Sequence, residues 1–203
     1  MIKEACVESF TEALEMFNKG ANRIELCENL AVGGTTPSFG TIKQAISLIP
    51  IPIFVMIRPR GGNFIYSDEE VSIMKEDIIL CKNLGIKGIV LGVLNIDNTI
   101  NYSLLKELVT LASPMEVTFH KAIDEVKNPL NEIPFLKEIG IKRILTSGKS
   151  ETALEGKDLI NSLITISYPE ITIVAAGKIT SNNFSSVIKE IHGFEFHGKK
   201  IVS

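Results

Sequence analysis

Short apolar segments alternate with amphipathic segments along the whole chain, and this alternation restricts the fold more than any other feature. Eight segments have the β-branched or alternating character of strands, and their first residues lie between 21 and 35 residues apart. A segment with helical periodicity separates each strand from the next, which predicts parallel strands joined by helices. The eight predicted strands are Ile2–Glu8, Arg23–Asn29, Ile53–Pro59, Gly88–Leu94, Glu116–His120, Arg143–Ser147, Ile171–Ala175 and Phe194–His197.

Three of the predicted helices end in the same way, at a glycine that is followed by a short bridge and the next strand. These glycines are Gly20, Gly85 and Gly140, and glycine is the residue preferred just past a helix C-terminus. Eight such units predict an α/β fold of the (β/α)8 barrel type, with an open doubly wound sheet as the alternative. Because no linker or change of composition divides the chain, residues 1–203 are predicted to form a single barrel domain.

The end of the sequence predicts that this barrel lacks its eighth helix. Only six residues, Gly198–Ser203, follow the last predicted strand, and they are too few for a helix. The outward side chains of that strand, Phe194 and Phe196, are therefore predicted to be bare. An uncovered apolar strip usually marks an interface, so we predict a homo-oligomer, a dimer or larger, in which a second subunit covers it.

Charge and composition exclude several classes of partner. The chain has 21 Lys and Arg against 24 Asp and Glu, a net charge of −3, whereas binders of nucleic acid or anionic membranes carry a basic excess. No apolar run is long enough to span a bilayer, and the first residues, Met1–Ala5, lack the apolar core of a signal peptide. The three cysteines, Cys6, Cys27 and Cys81, suit a reducing cytoplasm, and we predict a cytoplasmic protein. The first strand enters its helix without a glycine-rich turn, so no nucleotide cofactor is expected.

Alternation within the strands predicts which side chains point into the barrel. The aliphatic set must face the outer helices, which leaves a polar set inside. Buried charges are costly unless they are paired, so this set forms either an internal ion-pair network, mainly Arg58 with Glu25 or Glu4, or a ligand site at the carboxyl-terminal mouth of the barrel. The predicted interior residues are Glu4, Cys6, Glu8, Glu25, Cys27, Asn29, Arg58, Thr118, His120, Ser147, Glu195 and His197.

Several of these residues favour a small anionic ligand. Arg58 and Arg60 lie beside glycines, and arginine binds carboxylates and phosphates with two parallel hydrogen bonds. Barrel enzymes often bind phosphate with the loops after strands seven and eight. The predicted anion-binding residues are Arg58, Arg60, Ser147, Gly177 and Gly198.

The same mouth holds candidates for acid–base catalysis. Glu4, Glu25, His120 and His197 are candidate catalytic residues, because a histidine beside a carboxylate can accept or donate a proton. A buried histidine bonded to a carboxylate for structural reasons alone explains the pattern as well.

Cys6 and Cys27 are the candidate metal ligands. Each is the fifth residue of its predicted strand and points inward on neighbouring strands, so the two sulfurs are expected to approach each other. Two thiolates suit Cu(I), which is a soft ion. Inert packing and reversible oxidation are the alternatives, because cysteine is among the residues most often buried.

The sequence closely resembles the CutC family. The resemblance runs from the first strand to residue 198, and its most specific block is Met56–Gly62, Met-Ile-Arg-Pro-Arg-Gly-Gly. It implies a TIM barrel, a cytoplasmic and self-associating protein, and a role in copper homeostasis. The other matching segments are Glu4–Glu8, Arg23–Cys27, Gly33–Gly34 with Thr36–Ser38, Phe119–His120, Ile144–Gly148 and Glu195–Gly198.

Two functions remain open from the sequence. The first is a CutC-like copper homeostasis protein that binds Cu(I) through Cys6 and Cys27. The alternative is a TIM-barrel enzyme that acts on a small phosphate- or carboxylate-bearing metabolite at the mouth of the barrel. The family resemblance favours the copper function.

Overall fold

The computed structural model describes all 203 residues as a closed barrel of eight parallel strands surrounded by seven helices. Neighbouring strands pair in sequence order, and β8 closes the barrel against β1. The predicted (β/α)8 barrel without an eighth helix is therefore confirmed. The strands are β1 (Ile2–Val7), β2 (Arg23–Leu26), β3 (Ile53–Met56), β4 (Gly88–Leu91), β5 (Glu116–Phe119), β6 (Arg143–Thr146), β7 (Thr172–Ala175) and β8 (Glu195–Gly198). The helices are α1 (Phe10–Asn18), α2 (Phe39–Leu48), α3 (Asp68–Asn83), α4 (Tyr102–Ala112), α5 (Pro129–Glu138), α6 (Lys157–Ser167) and α7 (Phe184–Glu190).

Seven of the eight strands are shorter than the sequence predicts, because the chain leaves the sheet near the ends of the predicted segments. The third predicted strand ends at Met56 rather than at Pro59. Beyond it, the Arg58 N–H donates to the hydroxyl of Thr36 at 2.9 Å. The helices are also short relative to a membrane: none is long and apolar enough to cross one.

The core has two layers, as the predicted strand alternation requires. The larger layer joins 47 buried residues between the strands and the helices, and it contains Ile53, Val55 and Ile57. A separate inner cluster contains Cys6, Cys27, Phe54, Met56 and Val90. The two layers share no residue. Alternate side chains of a strand such as β3 therefore pack either against the helices or inside the barrel.

Phe54 fills the lower part of this interior, where β4 has a glycine. A Cβ built on Gly88 would lie 2.6 Å from the Phe54 ring. A larger residue at position 88 would therefore displace the ring, and Gly88 provides the space for it.

The structure corrects one prediction about the missing helix. Phe194 is 65% exposed, but Phe196 is completely buried, so the prediction that both are bare is wrong for Phe196. The Phe196 ring packs edge-on against Phe184 of α7, with centroids 5.2 Å apart. Ile201 and Val202 join the same core, so residues after β8 cover part of the surface that an eighth helix would cover.

Candidate metal and ligand site

A cavity of about 520 Å³ opens at the carboxyl-terminal ends of the strands. It brings together most, though not all, of the residues predicted for the site. The predicted residues that line it are Cys6, Glu25, Arg58, His120, Gly177, His197 and Gly198, whereas Glu4, Cys27, Arg60 and Ser147 do not.

The strand register places the two cysteines together beneath this cavity. Cys6 of β1 is paired with Glu25 of β2, and the Cys27 N–H, just past β2, donates to the Val7 carbonyl at 2.9 Å. The two sulfurs and a carboxylate oxygen of Glu25 all lie within 4.8 Å of one another. Both cysteines are buried and neither forms a disulfide.

Both thiols are held in the protonated form. The hydrogen bond with Cys27 and burial raise the pKa of Cys6 well above its ordinary value. The hydrogen bond to Cys6 acts in the opposite direction on Cys27, but burial and the Glu25 carboxylate raise its pKa to about 11. The Cys27 thiol donates to Oε2 of Glu25 over 3.6 Å. Because the thiolate is the form that binds a metal, both protons must leave when an ion is bound.

His197 lies between two buried carboxylates. Its Nδ1 is 2.7 Å from Oε1 of Glu4, and its Nε2 is 3.6 Å from Oε2 of Glu25. Burial disfavours the charged imidazole, but the charge of Glu25 and hydrogen bonds to Cys6 and Glu4 raise the pKa of His197 well above its ordinary value. His197 is therefore a cation that links the two carboxylates.

The two carboxylates differ in their surroundings. Burial opposes ionisation of Glu4, yet the hydrogen bond from His197 and the charge of Arg23 lower its pKa to about 2. For Glu25, burial is the largest influence and raises the pKa, and its Oε1 has no hydrogen-bond partner. Glu4 is thus a fixed anion, whereas Glu25 has an oxygen free beside the cysteines.

Arg23, which the sequence analysis did not place in the interior, is the main counter-ion of Glu4. Its guanidinium, 4% exposed, binds Glu4 and also Oε2 of Glu195, the latter at 2.5 Å. The prediction that Arg58 pairs with Glu4 or Glu25 is therefore wrong. Register explains the difference, since Glu4 and Arg23 are direct partners on β1 and β2, whereas Arg58 lies beyond the end of β3. The sequence could have predicted the inward position of Arg23, because Arg23 and Glu25 are two residues apart on one strand and so share a face.

Arg143 completes this lower layer of charge and was also missed. Its Nε is 3.1 Å from Oε2 of Glu195, and it also binds Glu116. The guanidinium carbons of Arg143 and Arg23 lie 4.8 and 5.0 Å from the centre of the Phe54 ring. Phe54 therefore packs against two cations that share one carboxylate, and its ring stabilises both.

Arg58 holds loops together instead of presenting a free guanidinium. It donates to the carbonyls of Val32 at 3.0 Å, Gly34 at 2.9 Å and Gly62 at 2.7 Å. Only its Nε is without a partner, although the side chain lines the cavity. The two-pronged arginine clamp expected from the sequence is therefore not formed by these groups.

Arg60 and Ser147 serve the loops outside the cavity. Arg60 binds the carboxylate of Glu70 with Nε at 2.5 Å and donates to the Ile65 carbonyl at 2.6 Å. The Ser147 hydroxyl and backbone N–H both donate to Asp124, at 3.1 and 3.0 Å. Both residues thus have protein partners.

His120 is a neutral histidine with one unused donor. Its Nδ1 accepts a hydrogen bond from the Ala122 N–H at 3.1 Å, so the neutral ring carries its proton on Nε2. Burial and the charge of Arg58 lower the pKa of His120 to about 3. The Nε2 atom is buried without a partner, and the side chain lines the cavity.

The rim of the cavity is basic, although the chain as a whole is acidic. Four lysines line it, whereas Glu151 is the single exposed acidic residue among the lining residues, and it forms an ion pair with Lys178. The ammonium of Lys121 is 3.9 Å from Asp124, and those of Lys199 and Lys200 form no ion pair. Positive charge therefore collects where β7 and β8 end.

Comparison with known proteins relates the whole chain to one family. The sequence profile of the CutC family matches residues 1–202. The copper homeostasis protein cutC homolog of Mus musculus is 44% identical over 196 residues, which cover 97% of this chain and 72% of that protein. The family protein CutC of Enterococcus faecalis is 42% identical over 209 residues and is covered in full, as is this chain.

A solved structure of a CutC protein is also similar to this chain over its whole length. The crystal structure of CutC from Streptococcus agalactiae superposes with a TM-score of 0.94 at 35% identity, and each chain is covered completely. The similarity therefore includes the closed barrel and the loops that carry the cavity.

Proposed function

The chain belongs to the CutC family, and from this we propose that it acts in copper homeostasis by holding a Cu(I) ion between the thiolates of Cys6 and Cys27. The observation that carries the proposal is the convergence of two sulfurs and the Glu25 carboxylate within 4.8 Å. A metal–thiolate bond of about 2.3 Å allows two sulfurs bound to one ion to lie up to about 4.6 Å apart. The two sulfurs, within 4.8 Å of each other, are therefore close to the spacing that a shared ion requires.

The chemistry of the donors selects among metals. Soft thiolate ligands favour Cu(I), whereas hard cations such as Mg²⁺ and Ca²⁺ prefer sets of oxygen ligands. One carboxylate with two sulfurs is a poor set for a hard cation. The apolar side chains of Met56 and Val90 pack in the same inner cluster as the cysteines, where Cys27 is fully buried.

The ion has a direct route to the site. Cys6 lines the cavity at the mouth of the barrel, while Cys27 lies fully buried behind it. An ion that enters through the mouth therefore meets Cys6 first. We place this function in the cytoplasm, because a reducing compartment maintains both free thiols and monovalent copper.

The test is a competition between the protein and a chromophoric Cu(I) chelator under anaerobic conditions. The native chain is expected to take one Cu(I), and Cys6→Ala/Cys27→Ala is expected to lose it. Cys81→Ala is the matched control, because Cys81 is equally buried but lies on α3 outside the barrel interior. X-ray absorption of the loaded native protein is expected to show sulfur ligands. Equal copper binding by the double variant and the native chain would show that the proposed site is wrong.

A further inference from the structure

The loops after β7 and β8 form one surface of hydrogen-bond donors that copper binding does not use. The two loops are bonded to each other, since the Ser181 N–H donates to the Lys200 carbonyl at 2.8 Å. They approach so closely that a Cβ on Gly198 would lie 2.1 Å from the Ile179 carbonyl oxygen. Donors on the two loops therefore face one small region of the cavity wall.

Three backbone N–H groups in this region have no acceptor within the protein. They belong to Gly177, Lys178 and Lys199, and none of them donates a hydrogen bond to the chain, whereas the Lys200 N–H takes part in the bridge that pairs Lys200 with Thr180. The backbone is left-handed at both Gly177 (φ 110°) and Lys178 (φ 54°). Lysine rarely adopts this conformation, and successive N–H groups in such turns form concave sites for anions.

The side chains around these N–H groups add charge of the matching sign. Lys199 and Lys200 are exposed on the rim without an acidic partner, and Lys121 lies on the opposite loop. Glu151 also lines the rim, but the Lys178 ammonium neutralises it. The remaining charge of the rim is therefore positive.

A second observation on the far wall points to the same ligand. His120 is 3% exposed and Arg58 is 4% exposed, and each has one nitrogen donor, Nε2 and Nε, that is buried without any partner. An unsatisfied buried donor costs about 1–3 kcal/mol, so such groups normally have an acceptor in the functional state. Both side chains line the same cavity as the two loops.

We propose that the loops after β7 and β8 bind the phosphate group of a small phosphate monoester, whose remaining part extends across the cavity toward Arg58 and His120. The number of donors favours phosphate over carboxylate. Three free N–H groups and two unpaired lysines exceed what two carboxylate oxygens accept, whereas a phosphate has three terminal oxygens and a charge of about −1.5 to −2. A cavity of about 520 Å³ holds a ligand of the size of a small metabolite.

This site is separate from the proposed copper site and does not depend on it. Cys6 lies on the floor of the cavity, whereas the phosphate donors lie on its rim. Cys6→Ala/Cys27→Ala is therefore expected to bind phosphate compounds as the native chain does, and this result would distinguish failure of one proposal from failure of the other.

The test is isothermal titration calorimetry of the full chain with inorganic phosphate, glycerol 3-phosphate and acetate. The native protein is expected to bind the ester more tightly than inorganic phosphate, because the ester also fills the cavity, and to bind acetate at least tenfold more weakly than either. Lys199→Gln/Lys200→Gln is expected to weaken binding of both phosphate compounds at least tenfold. The matched control is Lys87→Gln/Lys142→Gln, which removes two exposed lysines at the opposite end of the barrel.

The result that overturns the proposal is equally specific. The site is wrong if the native chain shows no saturable binding of glycerol 3-phosphate, or if the two double variants bind it equally well. Acetate binding as tightly as phosphate would exclude phosphate as the preferred group.

Discussion

Gly92 lies directly against the imidazole of His120. A Cβ built on Gly92 would be 2.5 Å from both Nδ1 and Cε1 of the ring. Because position 92, just past β4, has no side chain, the imidazole can lie against the backbone there. In this position its Nδ1 accepts the hydrogen bond from the Ala122 N–H.

Gly92→Ala is expected to force the ring out of this position. Overpacking of a close-packed site costs about 1–3 kcal/mol, and we expect the free energy of unfolding in urea to fall by that amount. Gly40→Ala is the control, because a Cβ there meets only Ser38 Oγ at 3.9 Å in the first turn of α2. The control is expected to keep or slightly increase stability. Equal stability of Gly92→Ala and the native chain would show that the ring moves without cost.

Burial of neutral His120 predicts a pH dependence of stability. Its pKa falls from an ordinary value of 6.5 to about 3 in the folded chain, mainly through burial. The unfolded chain thus binds a proton that the folded chain refuses, and the stabilisation present above pH 6.5 is lost as the pH falls toward 3. The loss approaches about 1.4 kcal/mol for each pH unit.

The measurement is urea unfolding of the native chain and His120→Asn between pH 7 and 5. Asparagine retains an acceptor for the Ala122 N–H but does not titrate. We expect the difference in stability between the two proteins to shrink as the pH falls below 6.5. The exposed His192 provides the control His192→Asn. A difference that is constant over this range would contradict a buried neutral His120.

Arg23 is expected to be essential for the stability of the barrel interior. Its guanidinium neutralises Glu4 and Glu195, and its removal leaves both carboxylates without this partner in a buried layer. Breaking such a pair costs about 3–5 kcal/mol, which we expect for Arg23→Met in urea unfolding. The double variant Arg23→Met/Glu4→Gln is expected to recover part of this loss. If the loss in the free energy of unfolding of the double variant equalled or exceeded the sum of the losses of Arg23→Met and Glu4→Gln, the direct pairing would be wrong.

The sequence predicted what periodicity determines. Alternation fixes the faces of a strand, so the inward positions of Glu4, Cys6, Glu25 and His197 followed from counting residues. The same rule applied to Arg23. Parity alone, however, does not show whether the first residue of a short strand is buried inside the barrel or exposed at its end. Its role depends on its direct register with Glu4, and register is set by the closed barrel as a whole.

The sequence could not predict how each arginine is used. A guanidinium can donate to a phosphate, to a carboxylate or to a set of carbonyls, and the choice depends on which acceptors the loops bring near it. Gly33 and Gly62 have left-handed φ values, and the loops that contain them turn three carbonyls toward Arg58. The same limit applies to Phe196, whose burial depends on the path of residues after β8.

Self-association remains a prediction, and the structure suggests where to test it. Met1, Tyr168 and Phe194 are each at least 65% exposed and line one shallow depression at the amino-terminal end of the barrel. We propose that a second copy of the chain covers this surface. Light scattering at micromolar concentration is expected to give a dimer or larger assembly, and Phe194→Ser is expected to shift it toward the monomer. A native chain that is monomeric under these conditions would refute the proposal.

Arg58 is expected to determine the order of the loop after β2. Its three carbonyl partners lie on two loops, and hydrogen bonds from charged donors contribute about 1.5–3 kcal/mol each, without being additive. We expect Arg58→Met to lower the free energy of unfolding by about 3–5 kcal/mol and to expose the segment around Val32 and Gly34 to protease. Arg58→Lys keeps the charge but lacks the planar group that reaches several carbonyls at once, so it is expected to restore little of the lost stability.

The measurements are urea unfolding and the rate of cleavage in this segment, read by mass spectrometry. Unchanged cleavage in Arg58→Met would mean that the loop holds its shape without the guanidinium, and full rescue by lysine would mean that charge alone is required.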